Sequence, residues 1–558
     1  MRAFGEHFSE EAIVWELCRA RIQLAATRHD LAFFHNIARS ATPAHDMGPP
    51  GWGDIPVEIF PARRQWHRFR AKRRNGSQGS DTSCRALCRA VMELRRTCPT
   101  AEWAVKLQEV VDAIRSRVLS SRPFHFRPPT IIAEPKEPGG HLYRPLAVYP
   151  LEDKIIEGLT ARYLRTNLDH LLVDSCLAFR CGTARKPPPT THDALTSILE
   201  MRSRYPNTTL YVAECDIKGF YDCVAHATAK RALRNLKAEA RPGFRMHRRA
   251  IEIFEAYLQS YTFLRTVRGK VQRELKKRDP VGEFKWPEAD IQKLHGSEAL
   301  VSIGVPQGGA LSCFIANAVL HEADKRIELI QRETSGKLLY LRYVDDMILI
   351  SPDRQICAQA FSTYNRALEE LLLPAHPPKR VLKYSGGFWD VKSKSRYPWS
   401  KADIPWIQFV GYQIRYDGVV RIRSKSLQKH ITAVTKLTDR LLSTLHHAAK
   451  RKSIRRSANE ILHRFRQRLI SMSVGRVRLG IPHKGPMPMS WAAGFRGLHG
   501  RSVLRNRHKA LDYHRERQIM RVARLLRTMK LPPPAKKRKS ISAHKYYGRP
   551  FSYWAQFL

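Results

Sequence analysis

The period of apolar positions changes twice along the chain. In residues 9–40 and 83–119 they recur every three or four positions, the spacing that keeps one face of a helix apolar. The Gly-, Pro- and Arg-rich stretch between them, "GPPGWGDIP" through "AKRRNGSQGSD", breaks that period and reads as a linker. From about Phe126 to Arg423 short apolar runs ("TLYVAECDI", "KLLYLRYV", "MILI") alternate with helical segments, which predicts an α+β core. After Arg423 the strand pattern stops, and Leu427, Ile431, Val434, Leu441 and Leu445 fall on one helical face. Two further helical segments, "IRRSANEILHRFRQRLI" and "LRNRHKALDYHRERQIMRVARLLRTMK", carry dense Arg and His on their polar sides. "PPPAKKRK" then ends the pattern ahead of an aromatic tail, "YYGRPFSYWAQF". The expected organisation is an N-terminal helical extension over 1–125, a mixed region over 126–423, a helical region over 424–499 and a basic, aromatic extension over 500–558.

Charge narrows the partners. With 98 Lys and Arg against 50 Asp and Glu, the net charge is +48, and such a surface repels itself unless a polyanion neutralises it. Nucleic acid is the expected partner. The ten cysteines contain no CxxC pair, which suits buried thiols; Cys84 and Cys88, one helical turn apart, lack His or Cys partners at ligand spacing, so no zinc site is expected. The N-terminus lacks a basic-then-apolar leader and no run approaches a membrane span, so a cytoplasmic protein without a membrane partner is expected.

Against this basic background two acidic elements stand out. In "LYLRYVDDMILI" the adjacent Asp345 and Asp346 interrupt two apolar strands, and upstream the strand in "LYVAECDIKGFYD" runs into Asp216. If the two strands lie side by side their carboxylates meet, and that cluster requires divalent cations; oxygen-only ligands favour Mg²⁺, with Mn²⁺ as an alternative. A pair of such ions about 3.5–4 Å apart activates a 3′-hydroxyl and stabilises departing pyrophosphate, which suits polynucleotide synthesis. Between these elements lies "IGVPQGGALSCFIANAVL", where Gly304, Gly308 and Gly309 allow close backbone approach and Gln307 offers hydrogen bonds beside a nucleotide.

Taken in order, "DIKGFYD", "GVPQGGALS…AN" and "RYVDD" resemble motifs A, B and C of reverse transcriptases, of the bacterial type represented by group II intron enzymes, retrons and defence-associated enzymes. "EPKEPGGHLYRPLAVYPLEDKIIEGL" is similar to the finger segment before motif A, and "FVGYQI" to the primer grip; together they cover roughly Ile131 to Lys425. The resemblance implies a right-hand polymerase fold, with fingers and palm built from an antiparallel sheet plus helices, a helical thumb and helical extensions at both ends. It implies RNA-directed DNA polymerase activity with two Mg²⁺ ions held by Asp216, Asp345, Asp346 and the carbonyl of Ile217. It makes Tyr221 the gate against a ribose 2′-hydroxyl, and Lys136, Arg144, Gln307 and Gly308 the nucleotide contacts. Phe409, Gly411 and Tyr412 become the primer grip, and Lys379 the general acid toward pyrophosphate.

Departures from the intron pattern, "SCLAFRCG" and Cys313 within "ALSCF", and no HNH-type segment after the helical region point to a standalone enzyme, expected in anti-phage defence with a non-coding RNA. The expected partners are an RNA template or non-coding RNA, dNTPs and the DNA product. The tail residues Tyr546, Tyr547, Tyr553 and Trp554 beside Lys545 and Arg549 suit docking, on this chain or in a homo-oligomer, or protein priming. Rival readings are template-independent or protein-primed synthesis, an RNA polymerase in which Asp222 meets the ribose, and an inactive nucleic-acid-binding scaffold.

Overall fold

The computed structural model describes residues 3–37, 57–62, 65–66, 80–137, 139–182, 187–240, 242–454, 456–474, 491, 493–498, 501 and 506–533. The aromatic tail with Tyr546, Tyr547 and Tyr553, and most of the Gly-, Pro- and Arg-rich stretch, lie outside the described residues. The chain forms two compact units, one of Met1–Val14, Gln108–Val410 and Ile414–Gly418, the other of Trp15–Leu107, Gly411–Gln413 and Val419–Leu558.

The first unit is α+β. Its hairpin pairs β1 (Thr130–Pro135) with β2 (Tyr143–Val148) in antiparallel register, Glu134 opposite Arg144. Its main sheet has the order β4-β5-β3-β7-β6. Here β3 is Leu210–Cys215, β4 Leu339–Tyr343, β5 Asp346–Ser351, β6 Lys379–Arg380 and β7 Lys394–Trp399. All pairs are antiparallel except the short β6, which runs parallel to β7. From Met347 to Ser351 every β5 residue is buried, as a continuous apolar run requires when both faces are covered. The Arg354–Glu370 helix packs on β3 and β5; it starts where Asp353 accepts the backbone N–H groups of Gln355 (2.7 Å) and Ile356 (3.2 Å). The Ala310–Glu333 helix is apolar around most of its circumference and buries residues from Leu311 to Ile330.

The second unit is mainly helical. Segments Ser424–Lys450, Ala458–Val474 and Asn506–Thr528 share one apolar core with the N-terminal helix Glu10–Ile37, in which Phe34 and Ile37 join Val434, Leu441, Leu445, Phe465, Leu469 and Val522. Of the face read from periodicity, Leu427, Val434, Leu441 and Leu445 are buried and Ile431 is half-buried. All ten cysteines are free thiols. Among the described residues no helix is long and apolar enough to cross a membrane.

Candidate active site

Sheet register brings the two acidic elements together. β3 and β5 are antiparallel with Cys215 opposite Met347, so one further step places Asp216 level with Asp346. β4 and β5 form a hairpin in which Tyr343 faces Asp346 and the turn is Val344–Asp345. Val344 sits at φ +61°, a left-handed conformation that a β-branched residue adopts only when its surroundings impose it.

The restraint is visible. Arg342, wholly buried, donates from Nη1 to the Val344 carbonyl at 2.8 Å. Its guanidinium is gripped by Asp324, equally buried, through Nε–Oδ1 at 2.7 Å and Nη2–Oδ2 at 2.5 Å, with the Tyr340 hydroxyl on the same carboxylate at 2.6 Å. Asp324 and Asn317 (3.3 Å from Nη1) both project from the Ala310–Glu333 helix, so that helix locks the acidic turn. Sequence reading missed Asp324, which in "HEADKR" looks like any surface acid.

Burial raises the Asp345 carboxyl above its usual range, and the Asp216 charge adds to the shift. A half-buried carboxyl with a second carboxylate beside it fits a site for divalent cations. Among the described residues no three His, Cys, Asp or Glu side chains surround one point; Mg²⁺ commonly takes one or two carboxylates and completes its shell with water and substrate phosphate. Asp216 meets Lys392 instead, Nζ to Oδ2 at 3.3 Å, a contact that nothing in the sequence pattern signals. Ile217 is buried in an isolated bridge to Ala375. That bridge is closed by His376 N–H to the Asp216 carbonyl (2.9 Å) and Lys218 N–H to the Pro374 carbonyl (2.8 Å), so the Ile217 carbonyl takes no part in it.

On the side of the β1–β2 hairpin a second group converges. Gln307 donates from Nε2 to Asp222 Oδ2 at 2.8 Å, and its carbonyl accepts the Ala147 N–H at 2.9 Å. Asp222 is buried and its carboxyl is pushed up to about 7 by desolvation, against the opposing effects of Gln307, Lys136 and Arg144. Lys136 is lowered by burial, with Asp222 acting in the other direction. Tyr221, half-buried, accepts the Val305 N–H at 2.7 Å through its carbonyl, and burial and neighbouring Asp345 raise its phenol. Gly308 is exposed at φ +105°, a conformation that favours glycine.

Gly309 has a different constraint: a Cβ there would overlap the Tyr257 hydroxyl and the Glu157 carboxylate. Glu157, buried on the Leu151–Leu168 helix, accepts the Leu311 N–H at 2.7 Å and so caps the Ala310–Glu333 helix from outside it. Phe409 ends β8 (Trp406–Phe409) in the first unit, and Val410 and Gly411 turn at φ +40° and +93° into β9 (Tyr412–Arg415). Gly411 and Tyr412 count with the second unit, where Tyr412 meets Phe495 edge-on at 5.7 Å. Lys379 is exposed on edge strand β6; the lysine that touches Asp216 is Lys392.

A family profile described as reverse transcriptase (RNA-dependent DNA polymerase) matches residues 135–414, just over half the chain, a range that includes Asp216, Tyr221, Gln307, Asp345 and Asp346. The chain belongs to the reverse transcriptase family. No curated protein sequence matches the chain. Among solved structures this reverse transcriptase is similar to an apo telomerase from Candida tropicalis truncated from its C-terminal domain, at 15% identity and TM-score 0.32, over 53% of this chain and 55% of that one. It is also similar to a telomerase from Candida albicans in complex with a TWJ fragment of telomeric RNA, at 11% identity and TM-score 0.33, over 87% and 76%. The chain thus spans little more than half the length of the first of these.

Proposed function

We propose that this reverse transcriptase is an active RNA-directed DNA polymerase that joins dNTPs to a primer 3′-hydroxyl, with Asp216 and Asp345 as metal ligands and Asp346 beside them. The observation that carries this is the β3–β5 register, which sets Asp216 level with the Asp345–Asp346 turn while Gln307, Asp222, Lys136 and Arg144 converge next to it. Bound Mg²⁺ would supply Lewis-acid activation of the 3′-hydroxyl and charge neutralisation at the α-phosphate. Asp216, Asp345 and the Ile217 carbonyl would hold it. Arg144 and Lys136 attract the triphosphate, Arg144 with a planar fork and Lys136 with a compact charge. Gln307 and Gly308 form the wall against which the base pair is placed. Tyr221 leaves no room for a 2′-hydroxyl.

This reading is favoured over an RNA polymerase because Asp222, the carboxylate that would have to recognise ribose, is buried and already bonded to Gln307. The standalone, defence-associated reading with a non-coding RNA partner belongs to the same proposal and rests on "SCLAFRCG" and Cys313. Extension of a DNA primer on an RNA template, followed by sequencing of the product, tests it. Product complementary to the template, lost in Asp216→Ala and Asp345→Ala by several orders of magnitude, is expected. Untemplated product, or substantial synthesis by either variant, would overturn it.

A further inference from the structure

Asp222 is not among the carboxylates expected to hold metal, yet it is buried beside the nucleotide contacts. Burial works against its ionised form, and an acid kept in such surroundings at a reaction site is a candidate for a role there. The chain fixes it first through its backbone. Gly219, left-handed at φ +56°, turns the chain after Asp216 into the short helix Phe220–Cys223. The Asp222 N–H donates to the Gly219 carbonyl at 2.8 Å, and the Asp222 carbonyl accepts Trp286 Nε1–H at 2.8 Å. Trp286 is stacked on buried Phe263, ring centroids 4.8 Å apart, so the indole that grips this main chain is itself held. At 5% exposure Asp222 lies too deep to meet a nucleotide directly.

What it meets is Gln307. Nε2 of that side chain donates to Asp222 Oδ2 at 2.8 Å, while the Gln307 main-chain carbonyl accepts the Ala147 N–H of β2 at 2.9 Å. The residue is thus held at two points, its backbone by the β1–β2 hairpin and its amide by Asp222. A glutamine amide has two unlike edges, a carbonyl that accepts and an NH₂ that donates, whereas an ionised carboxylate only accepts. Asp222 therefore admits one amide orientation, Nε2 inward, and Oε1 is turned away from it. Lys136 and Arg144 favour the ionised form against desolvation, and the Tyr261 hydroxyl lies against the same carboxylate. The two cations assigned to the triphosphate also keep Asp222 an acceptor.

We propose that Asp222 is a positioning residue for the incoming nucleotide: it locks the Gln307 amide with Nε2 inward and Oε1 outward, so that Gln307 meets each dNTP as a hydrogen-bond acceptor. The inference rests on the polymerase reading for the identity of the ligand and on the Asp222–Gln307 geometry for the lock. Asparagine in place of Asp222 has nearly the same shape but donates to Oε1 as readily as it accepts from Nε2, and the amide then samples both orientations.

The test is a double-mutant cycle in primer extension on an RNA template, run at pH 8, above the value of about 7 to which burial pushes the Asp222 carboxyl. Asp222→Asn should raise the KM for dNTPs about fivefold and leave kcat within about twofold, the pattern of a lost ground-state contact. Gln307→Ala should do the same, and adding Asp222→Asn to it should change nothing further, because Asp222 acts only through that amide. Additive effects, or a fall in kcat with KM unchanged, would overturn the proposal, since a carboxylate that merely supports the fold keeps its effect when Gln307 is truncated. Equal thermal midpoints establish that the variants fold. A second readout needs no synthesis: in protein labelled with ¹⁵N-glutamine, the Gln307 side-chain amide, assigned by its loss in Gln307→Ala, should exchange with solvent about tenfold faster in Asp222→Asn than in the unsubstituted protein. Equal exchange refutes the lock, and should Asp222→Asn not fold, an amide that exchanges in the unsubstituted protein as fast as an exposed one refutes it alone. A locked amide in a protein that extends no primer counts against the polymerase reading only.

Discussion

The buried pair Arg342–Asp324 makes the sharpest prediction, because it does two separable things: it stabilises the first unit and it holds the Val344 carbonyl in the turn that carries Asp345. Replacing Arg342 by Met leaves the Asp324 carboxylate wholly buried with only the Tyr340 hydroxyl against it. Removing one member of such a pair costs about 3–5 kcal/mol, whereas replacing both by apolar residues is often neutral. At roughly 2–4 °C per kcal/mol for a unit of this size, Arg342→Met should lower the midpoint of thermal unfolding by about 6 °C or more. Asp324→Leu/Arg342→Met should recover most of that loss. Turnover should not recover with it: the Val344 carbonyl, 2.8 Å from Arg342 Nη1 in the structure, has lost its donor in both variants, and misplacement of a catalytic group by about 1 Å costs roughly 10²-fold. Single-turnover nucleotide addition at a temperature where both variants are folded, read beside the melting curves, separates the two effects. A stable double variant with the turnover of the unsubstituted protein would refute the positioning role, and Arg342→Met with an unshifted midpoint would refute the energetic one.

Tyr221→Ala should relax the preference for dNTPs over rNTPs on one primed template while leaving metal dependence intact; an unchanged preference would place the sugar gate elsewhere. Glu157 predicts a pH effect: its carboxyl is pushed up from 4.5 to about 7 by burial, so the folded state keeps a proton that the unfolded chain releases. The resulting stabilisation is complete below about pH 4.5 and is lost as pH rises through 7, on the order of 3 kcal/mol in all. Thermal midpoints of Glu157→Gln measured from pH 5 to 8 should therefore decline less than those of the unsubstituted protein, and parallel curves would reject the assignment. Gly309→Ala should destabilise the first unit by about 1–3 kcal/mol, read by denaturant titration, because its methyl group overlaps Tyr257 and Glu157.

The acidic elements were legible because the information is local. An apolar run ending in Asp216 and a hairpin turning at Asp345 each announce themselves within ten residues, and β-sheet alternation does the rest. Tyr221, Gln307 and Gly308 came with the same motifs. What brings Lys392 to Asp216 is invisible by contrast, since 176 positions separate them and lysine is common throughout this chain. Glu157 gave no signal either: in "LEDKIIEGL" it occupies a helical position like its acidic neighbours, and only the glycine opposite it, which tolerates no side chain, reveals the cap. Periodicity showed that Glu10–Ile37 and Ser424–Lys450 each have an apolar face, but an apolar face does not name its cover. That Phe34 and Leu445 share one core follows from tertiary structure alone.

That shared core has a consequence for how the protein is made. Phe34 and Ile37 are synthesised several hundred residues before Ile519, Val522 and Leu526, which complete the same cluster. Contacts so distant in sequence carry the full entropy of closing a very long loop and so form late. The segment from Gln108 to Val410, whose sheet pairs residues within itself, has no such wait. On the ribosome the first unit can therefore mature while the Glu10–Ile37 helix still exposes an apolar stripe, a surface for chaperones to cover until the Asn506–Thr528 helix arrives.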